Sequence, residues 1–279
     1  AYGIPPPPAW AEAGPSGRYT HPEGAESYLD GAYLIGLDRQ DEQQLDSPEK
    51  TALWNIADAE AALDLIFLQT GGLQGRWRQS QGWVKESQKG YGEDRAGLRL
   101  SDDGLTTESL VLTSVGLSGP LLAFRPFAKV CGSGLLRLDL QQNELEGDLQ
   151  AFLTLSLARS LPLLQVLDLS FNFLRGNVPG DALAALTSLQ ELILDDNQLT
   201  SHLPSSSTFA ALGSLKTLSL NRNLLTGSLA PLGACPRLSR LGVAQNGFKT
   251  GWRALARLPL SMIDLRGNDL NPEDPDDED

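Results

Sequence analysis

The sequence predicts an α/β solenoid: a right-handed superhelix of about seven turns, with a parallel sheet along its concave side and a helical cap at its N-terminal end. One pattern of leucines, spaced within eleven residues, recurs through the second half of this chain of 279 residues. Only 6% of the residues are aromatic, so aliphatic side chains have to fill the core. Units that repeat in this way stack on one another, because a single unit cannot bury its own apolar face.

The repeated pattern reads L-x-x-L-x-L-x-x-N-x-L, and an asparagine marks each of its last six turns. Successive asparagines are 29, 25, 26, 23 and 22 residues apart, within the range of about 20–29 residues that defines leucine-rich repeats. An opening turn has Val115 where the asparagine belongs. We therefore predict leucine-rich repeats over residues 106–270. The asparagines are Asn143, Asn172, Asn197, Asn223, Asn246 and Asn268.

Each position that recurs from turn to turn has a physical role in the predicted turn. The x-L-x-L-x core is a short strand whose leucines point inwards while the residues between them point outwards. The asparagine lies where the chain leaves the strand, and its amide can satisfy backbone groups that lose their ladder partners there. We therefore predict that the row of asparagines is structural and is not a binding site.

After the asparagine, several turns continue with a second pattern, as in Leu174-Arg-Gly176-Asn-Val178-Pro179 and Leu225-Thr-Gly227-Ser-Leu229. This N-x-L-x-G-x-[LV]-P signature resembles the plant-type leucine-rich repeats of receptor-kinase ectodomains and polygalacturonase inhibitors. The resemblance implies a second short strand in each turn and a twisted solenoid. It defines a scaffold and leaves the bound molecule open.

A cap is predicted over residues 47–105. Asp46-Ser47-Pro48-Glu49 is a good helix start, and Gly71-Gly72 is a good helix end. Trp77 and Trp83 then resemble the two tryptophans of the family's cap and are interpreted as packing residues, and the segment from Gly97 resembles its β-hairpin.

Two absences distinguish this sequence from secreted members of that family. The cap has no cysteine pair, and no N-x-[ST] glycosylation sequon is present. Cys131 and Cys235 lie about four repeats apart, roughly 20 Å at the usual strand spacing, which is too far for a disulfide. A cytosolic location or an organelle lumen, such as that of a plastid, is therefore favoured over the secretory pathway.

The two ends of the chain lie outside the repeats. Residues 1–46 are rich in proline and glycine and are interpreted either as a loose tail or as an arm that docks on the cap or on a partner. Residues 271–279 are interpreted as an acidic, solvated tail. The docking residues of the arm would be Trp10, Tyr28, Tyr33, Leu34 and Ile35.

Charge and motifs exclude several classes of function. The net charge of −13 and the pI of about 4.6 disfavour nucleic acid as a partner. No run of 18 or more apolar residues is long enough to span a bilayer. Metal, cofactor, nucleotide and hydrolase motifs are absent, so we expect no cofactor, no metal and no catalytic residue.

The outward positions of the concave strands are the predicted partner-binding surface. Its middle turns carry an acidic strip with one exposed aromatic anchor, and its C-terminal turns are more basic. This pattern favours a protein partner with a basic surface. The surface comprises Asp139, Asp168, Phe171, Glu191, Asp195, Asp196, Arg222, Arg240 and Arg266.

Three functions remain open on the sequence alone. The favoured one is a structural or adaptor subunit of a larger assembly, for example an organellar or photosynthetic one. The second is a receptor-like or inhibitor-like recognition module that binds a peptide or an enzyme on the concave face. The third, and least favoured, is an enzyme that uses concave carboxylates.

Overall fold

The computed structural model describes residues 61–72, 77, 96–102, 104 and 106–273. The predicted arm, the start of the cap helix, Trp83 and residues 274–279 lie outside the described residues. Within them the chain forms the predicted α/β solenoid, with two sheets along its length and short helices on the remaining side.

The larger sheet follows the x-L-x-L-x segments of successive turns. It contains eight strands, numbered in chain order with those of the second sheet. Its first pair is the antiparallel hairpin expected from Gly97 onwards, and every later pair is parallel, with the same position of the pattern in register from turn to turn. Its strands are β1 (Leu98–Leu100), β2 (Thr107–Val111), β4 (Arg137–Asp139), β6 (Val166–Asp168), β8 (Glu191–Ile193), β10 (Thr217–Ser219), β12 (Arg240–Gly242) and β14 (Met262–Asp264).

The smaller sheet is the one that the N-x-L-x-G-x-[LV]-P signature implies. Its six strands are parallel and lie just after the asparagine of each turn, or just after Val115 in the opening turn. Most turns place glycine at the position where the backbone turns left-handed, for example Gly176 with φ 85°, but one turn has Ser201 there with φ 76°. The strands are β3 (Ser118–Pro120), β5 (Glu144–Asp148), β7 (Phe173–Gly176), β9 (Gln198–Ser201), β11 (Leu224–Ser228) and β13 (Gly247–Thr250).

Short helices close each turn on the side away from the larger sheet. They are α1 (described over 61–69), α2 (Arg125–Cys131), α3 (Leu149–Phe152), α4 (Leu155–Ala158), α5 (Gly180–Ala184) and α6 (Ser206–Ala211). The described residues also form four 3₁₀ segments: Leu121–Phe124, Gly132–Gly134, Ala230–Ala234 and Trp252–Arg257. The helices after α1, which belongs to the cap, have room for only one or two helical turns, because a repeat of about 25 residues also has to make two strands.

One continuous core runs through the solenoid. Leu138, Leu167, Leu192 and Leu218 occupy the same position in successive strands of the larger sheet, and all are completely or almost completely buried. Phenylalanines from the helical side, such as Phe209, fill the core from the opposite direction. Each such side chain stabilises the fold by about 1.5–3 kcal/mol, so stability depends on the stacking of turns.

The asparagines form a hydrogen-bonded ladder along the core. In one turn Asn172 Nδ2 donates to the backbone oxygens of Leu140 at 3.0 Å and Leu169 at 3.1 Å, while its Oδ1 accepts from Leu145 N at 3.0 Å. Each asparagine thus joins its own turn to the preceding one. The same pattern recurs at Asn143, Asn197, Asn223, Asn246 and Asn268.

The described part of the cap packs on the first turn. Ile66 and Phe67 of α1 are buried, and the rings of Phe67 and Trp77 meet edge to face with centroids 5.1 Å apart. Trp77 Nε1 donates to the backbone oxygen of Thr70 at 2.9 Å. In this arrangement Trp77 is a packing residue.

The two cysteines belong to the interior of the helical side. Cys131 and Cys235 are both buried and are not joined to each other. Burial raises the pKa of the Cys235 thiol to about 11, so the thiolate is scarce near neutral pH. Cys235 therefore acts as an apolar filler.

Candidate partner-binding surface

The acidic strip predicted along the concave face begins with two carboxylates in neighbouring turns. Asp139 and Asp168 are register partners in β4 and β6, but only 4% and 5% of their surfaces are exposed. Thr113 Oγ1 donates to Asp139 Oδ1 at 2.9 Å, and the Arg137 guanidinium lies 2.6 Å from Asp139 Oδ2. Much of the hydrogen-bonding capacity of Asp139 is therefore used within the fold.

Asp168 is held by Ser170 of its own turn. The backbone N–H and the hydroxyl of Ser170 donate to Asp168 Oδ1 at 3.0 and 2.6 Å. Burial raises the pKa of Asp168, and the neighbouring Asp139 raises it further, although the hydrogen bonds from Ser170 and the charge of Arg137 act in the opposite direction. The charged form of Asp168 is thus less favourable in the folded protein than in the unfolded chain.

We expect Asp168→Asn to raise the free energy of unfolding at pH 8, because asparagine can still accept from Ser170 without a buried charge. Because the pKa of Asp168 is higher in the folded protein than in the unfolded chain, its charge lowers the free energy of unfolding by the full amount above the folded-state pKa. This loss disappears as the pH falls towards the unfolded-state pKa. The gain over the wild type should therefore shrink between pH 8 and pH 4 in urea unfolding experiments. The exposed Glu144→Gln is the control. A gain for Asp168→Asn that did not depend on pH would contradict this account.

Further along the concave face, Asp195 belongs to a polar chain that crosses three turns. Ser219 Oγ donates to Asp195 Oδ1 at 2.8 Å, and Asn221 N donates to the same oxygen at 2.6 Å. Asn221 Oδ1 in turn accepts from Ala244 N at 2.8 Å. Burial raises the pKa of Asp195 despite these hydrogen bonds. The chain fixes the rotamers of side chains in the middle of the concave face.

The residue before each asparagine has a left-handed backbone, and these residues form a row along the rim of the larger sheet. Phe171, Asp196 and Arg222 occupy this row in successive turns, with φ values of 55°, 52° and 52°. Arg222 Nε and Nη2 donate to Asp196 Oδ1 and Oδ2, each at 2.6 Å. The same guanidinium lies 5.8 Å from the centre of the Phe171 ring. Asp196 thus positions Arg222 across an aromatic ring that is 39% exposed.

Two further apolar side chains lie beside this row. Phe173 and Leu224 are the first residues of β7 and β11, two positions after Phe171 and Arg222, and they are 49% and 60% exposed. Phe171, Phe173 and Leu224 are here called the edge patch. Leu224 lies two turns beyond the two phenylalanines, and β9 separates its strand from that of Phe173. Exposed apolar side chains grouped in this way are typical of interaction sites. Sequence reasoning found Phe171 but missed Phe173 and Leu224, although an apolar residue directly after the repeat asparagine was visible in both turns.

The remaining predicted site residues surround this region. Glu191 is half-buried at the start of β8, and Arg240 is exposed at the start of β12. Arg266 pairs with Asp264 through contacts of 2.8 and 2.7 Å, and these hydrogen bonds lower the pKa of Asp264 to about 2. The structure thus places Phe171, Asp196 and Arg222 in one cluster, while Asp139 and Asp168 lie in a second, covered one.

The described residues show no group of three or more His, Cys, Asp or Glu side chains arranged to hold a metal ion. Within the same residues no helix is both long enough and apolar enough to cross a bilayer.

Comparison with known proteins agrees with this architecture. A family model described as Leucine Rich Repeat matches residues 188–209. A search of curated protein sequences gives no match. The ectodomain of the Arabidopsis receptor kinase HAESA, solved in complex with an N-terminal extended IDA peptide hormone ligand, is 25% identical with a TM-score of 0.65. The alignment covers 80% of this chain and 35% of the HAESA chain, so this chain spans about a third of that protein's length.

Two shorter solved structures are similar over more of their own length. Pollen Receptor Kinase 3 is 26% identical with a TM-score of 0.55, over 70% of this chain and 88% of that chain. The BIR2 ectodomain from Arabidopsis thaliana is 26% identical with a TM-score of 0.50, over 76% of this chain and 97% of that chain.

Proposed function

We propose that the chain is a non-enzymatic protein-interaction module, because it has leucine-rich repeats and is similar to plant receptor-kinase ectodomains of that kind. It binds a segment of a partner protein at the rim of its concave face, with the edge patch as the apolar anchor. The HAESA ectodomain, which is similar over most of this chain, binds a peptide hormone, and that similarity supports the proposal.

The proposal rests mainly on Phe171, on its left-handed backbone conformation and on the exposure of its side chain. A bulky side chain on a left-handed backbone costs about 1–2 kcal/mol, and Phe171, which stays 39% exposed, recovers only part of the free energy of a buried aromatic ring. Glycine would fit this backbone better, as it does at Gly267 in the last turn. An aromatic ring and an arginine held together on a surface are the side chains most enriched at binding hot spots. The cluster of Phe171 and Arg222 is therefore best explained by a partner that covers it.

The charges around the edge patch indicate the orientation of the bound partner segment along the solenoid. Glu191 and Asp195 are half-buried on the concave side of the patch, whereas Arg240 and Arg266 lie in later turns. A basic group of the partner is expected near Glu191 and Asp195 and an acidic one towards the C-terminal turns. Asp139 and Asp168 act on the partner only through the electrostatic field of their charges, because their side chains are buried and make no direct contact with it.

The proposal predicts that Phe171→Ala weakens partner binding about 30-fold, since loss of a central aromatic anchor costs about 2 kcal/mol or more. The partner is recovered by mild purification of the protein from its source, and its affinity is measured by calorimetry. The matched control is Leu163→Ala, which removes a side chain of similar exposure (48%) elsewhere on the surface. Equal affinities for wild type and Phe171→Ala, or a larger loss for Leu163→Ala, would overturn the proposal.

A second candidate function, an adaptor subunit held in a larger assembly, is favoured by the last described strand. Met262 and Ile263 of β14 are 64% and 46% exposed, and β14 pairs with β12 on only one side among the described strands. Such an edge is available for packing. Stable co-migration with a large complex under native conditions would support the subunit, whereas a monomer with micromolar ligand affinity would favour the recognition module alone. An enzyme that uses concave carboxylates is disfavoured, because Asp139 and Asp168 are covered and hydrogen-bonded within the fold.

A further inference from the structure

Charge is strongly segregated along this acidic chain. Between Asp196 and Asp264 the sequence contains seven lysines and arginines and no aspartate or glutamate. Residues 269–279 then contain seven acidic residues and no basic one. The C-terminal turns are therefore a basic region directly followed by an acidic segment.

Four of the basic residues lie where the chain leads into the last three strands of the larger sheet, which places them on the same side of successive turns. Lys216 directly precedes β10, and Arg240 begins β12, with its N–H donating to the Lys216 backbone oxygen at 2.9 Å. Arg237 precedes β12, and Arg257 ends the last 3₁₀ segment before β14. All four are exposed, and none has a salt bridge with a residue that the structure describes. Lys216, Arg237, Arg240 and Arg257 are here called the basic flank.

The chain returns to this region at the end of its last turn. Trp252 Nε1 donates to the backbone oxygen of Asn271 at 3.0 Å, and an Arg253 guanidinium nitrogen lies 3.4 Å from the backbone oxygen of Pro272. Residues 271 and 272 are thus seated at the start of the 3₁₀ segment that ends in Arg257. That segment is about 12 Å long at the usual 3₁₀ rise. Six extended residues beyond Glu273 span about 20 Å, which is enough to reach Arg257 and the turn behind it.

We propose that the acidic segment 274–279 binds the basic flank of the same molecule, as an intramolecular ligand that an acidic segment of a partner protein has to displace. Pairs of exposed charges are individually weak and are screened by salt. The short connection to Glu273 compensates, because a tethered ligand has an effective concentration in the millimolar range. Displacement by a partner rests on the proposed function, because Arg240 of the basic flank also lies where an acidic group of the partner is expected. Binding of the tail to the flank is tested without a partner, so the two proposals can fail separately.

The test uses a fluorescent peptide of residues 269–279 added to the full chain. In a tail-neutral variant, every acidic residue after Glu273 becomes its amide: Asp274→Asn, Asp276→Asn, Asp277→Asn, Glu278→Gln and Asp279→Asn. By fluorescence anisotropy at low ionic strength, this variant should bind the peptide about tenfold or more tightly than the wild type, because its own tail no longer competes. Binding to it should disappear at about 0.5 M salt.

Charge changes on the solenoid then locate the site. Adding Arg237→Gln and Arg257→Gln to the tail-neutral variant should abolish peptide binding. The matched control adds Arg159→Gln and Arg175→Gln, two exposed arginines of the acidic turns, and should leave peptide binding unchanged. Loss of binding in the control would overturn the proposed location.

Two results would overturn the proposal as a whole. One is equal peptide affinity for the wild type and the tail-neutral variant. The other is a concentration-dependent dimer, seen by light scattering in the wild type but not in the tail-neutral variant, because the tail would then bind a second copy.

Discussion

Replacing Leu192 by alanine is expected to lower the free energy of unfolding by about 3–5 kcal/mol. Leu192 is completely buried at the middle of β8, and its register partners are Leu167 in β6 and Leu218 in β10. The cavity would open between stacked turns whose backbones are fixed by two ladders of hydrogen bonds, so little relaxation can fill it. Urea unfolding followed by circular dichroism measures the change.

The control for this substitution is Leu224→Ala. Leu224 lies in the same kind of turn but is 60% exposed, so its loss should change the free energy of unfolding by no more than about 0.5 kcal/mol. Similar losses of stability at Leu192 and Leu224 would contradict the assignment of Leu192 to the core and of Leu224 to the surface.

Asn197→Ala should lower the free energy of unfolding by about 2 kcal/mol, since a buried polar group left without a partner costs about 1–3 kcal/mol. Asn197 Nδ2 donates to the backbone oxygens of Leu169 at 3.0 Å and Leu194 at 3.2 Å, and its Oδ1 accepts from Leu174 N at 3.0 Å. Alanine removes the acceptor of Leu174 N next to the core, whereas Leu169 O and Leu194 O keep their bonds from Asn172 Nδ2 at 3.1 Å and Asn223 Nδ2 at 2.9 Å. Thermal and urea unfolding of the purified variant check the value.

Asn177→Ala is the matched control for the asparagine ladder. Asn177 is exposed and stands outside the row, so its replacement should be nearly neutral. A loss at Asn177 equal to that at Asn197 would show that the ladder contributes nothing specific to the stacking of turns.

The repeats were predictable because two side chains, a buried leucine and a hydrogen-bonding asparagine, have to return at fixed positions in every turn. The leucine at the centre of each strand and the asparagine five positions later have to recur wherever one turn stacks on the next, as at Leu192 and Asn197. The second sheet was predictable for the same reason from segments such as Leu174 to Pro179. Even Ser201, which replaces the usual glycine, keeps the left-handed backbone because neighbouring strands on both sides hold β9 in place.

The candidate site was less predictable, because its character depends on contacts between side chains of different turns. Register alone places Asp139 and Asp168 on the concave face, but it does not reveal that Thr113, Arg137 and Ser170 bind their carboxylates. The apolar character of Phe173 and Leu224 was visible in the sequence, yet their exposure depends on where the second sheet bends. The contact of Arg222 with a ring two turns away had no signal in the sequence.

Hydroxyl-radical footprinting of the chain with and without its native partner tests the proposed function most directly, because it reports the solvent access of individual aromatic and aliphatic side chains. We predict that the partner strongly protects Phe171 and Phe173 from oxidation, while Leu163, which is equally exposed on another part of the surface, stays reactive. Protection of Leu163 with unchanged reactivity of Phe171 would contradict the proposal that partners bind at the rim of the concave face.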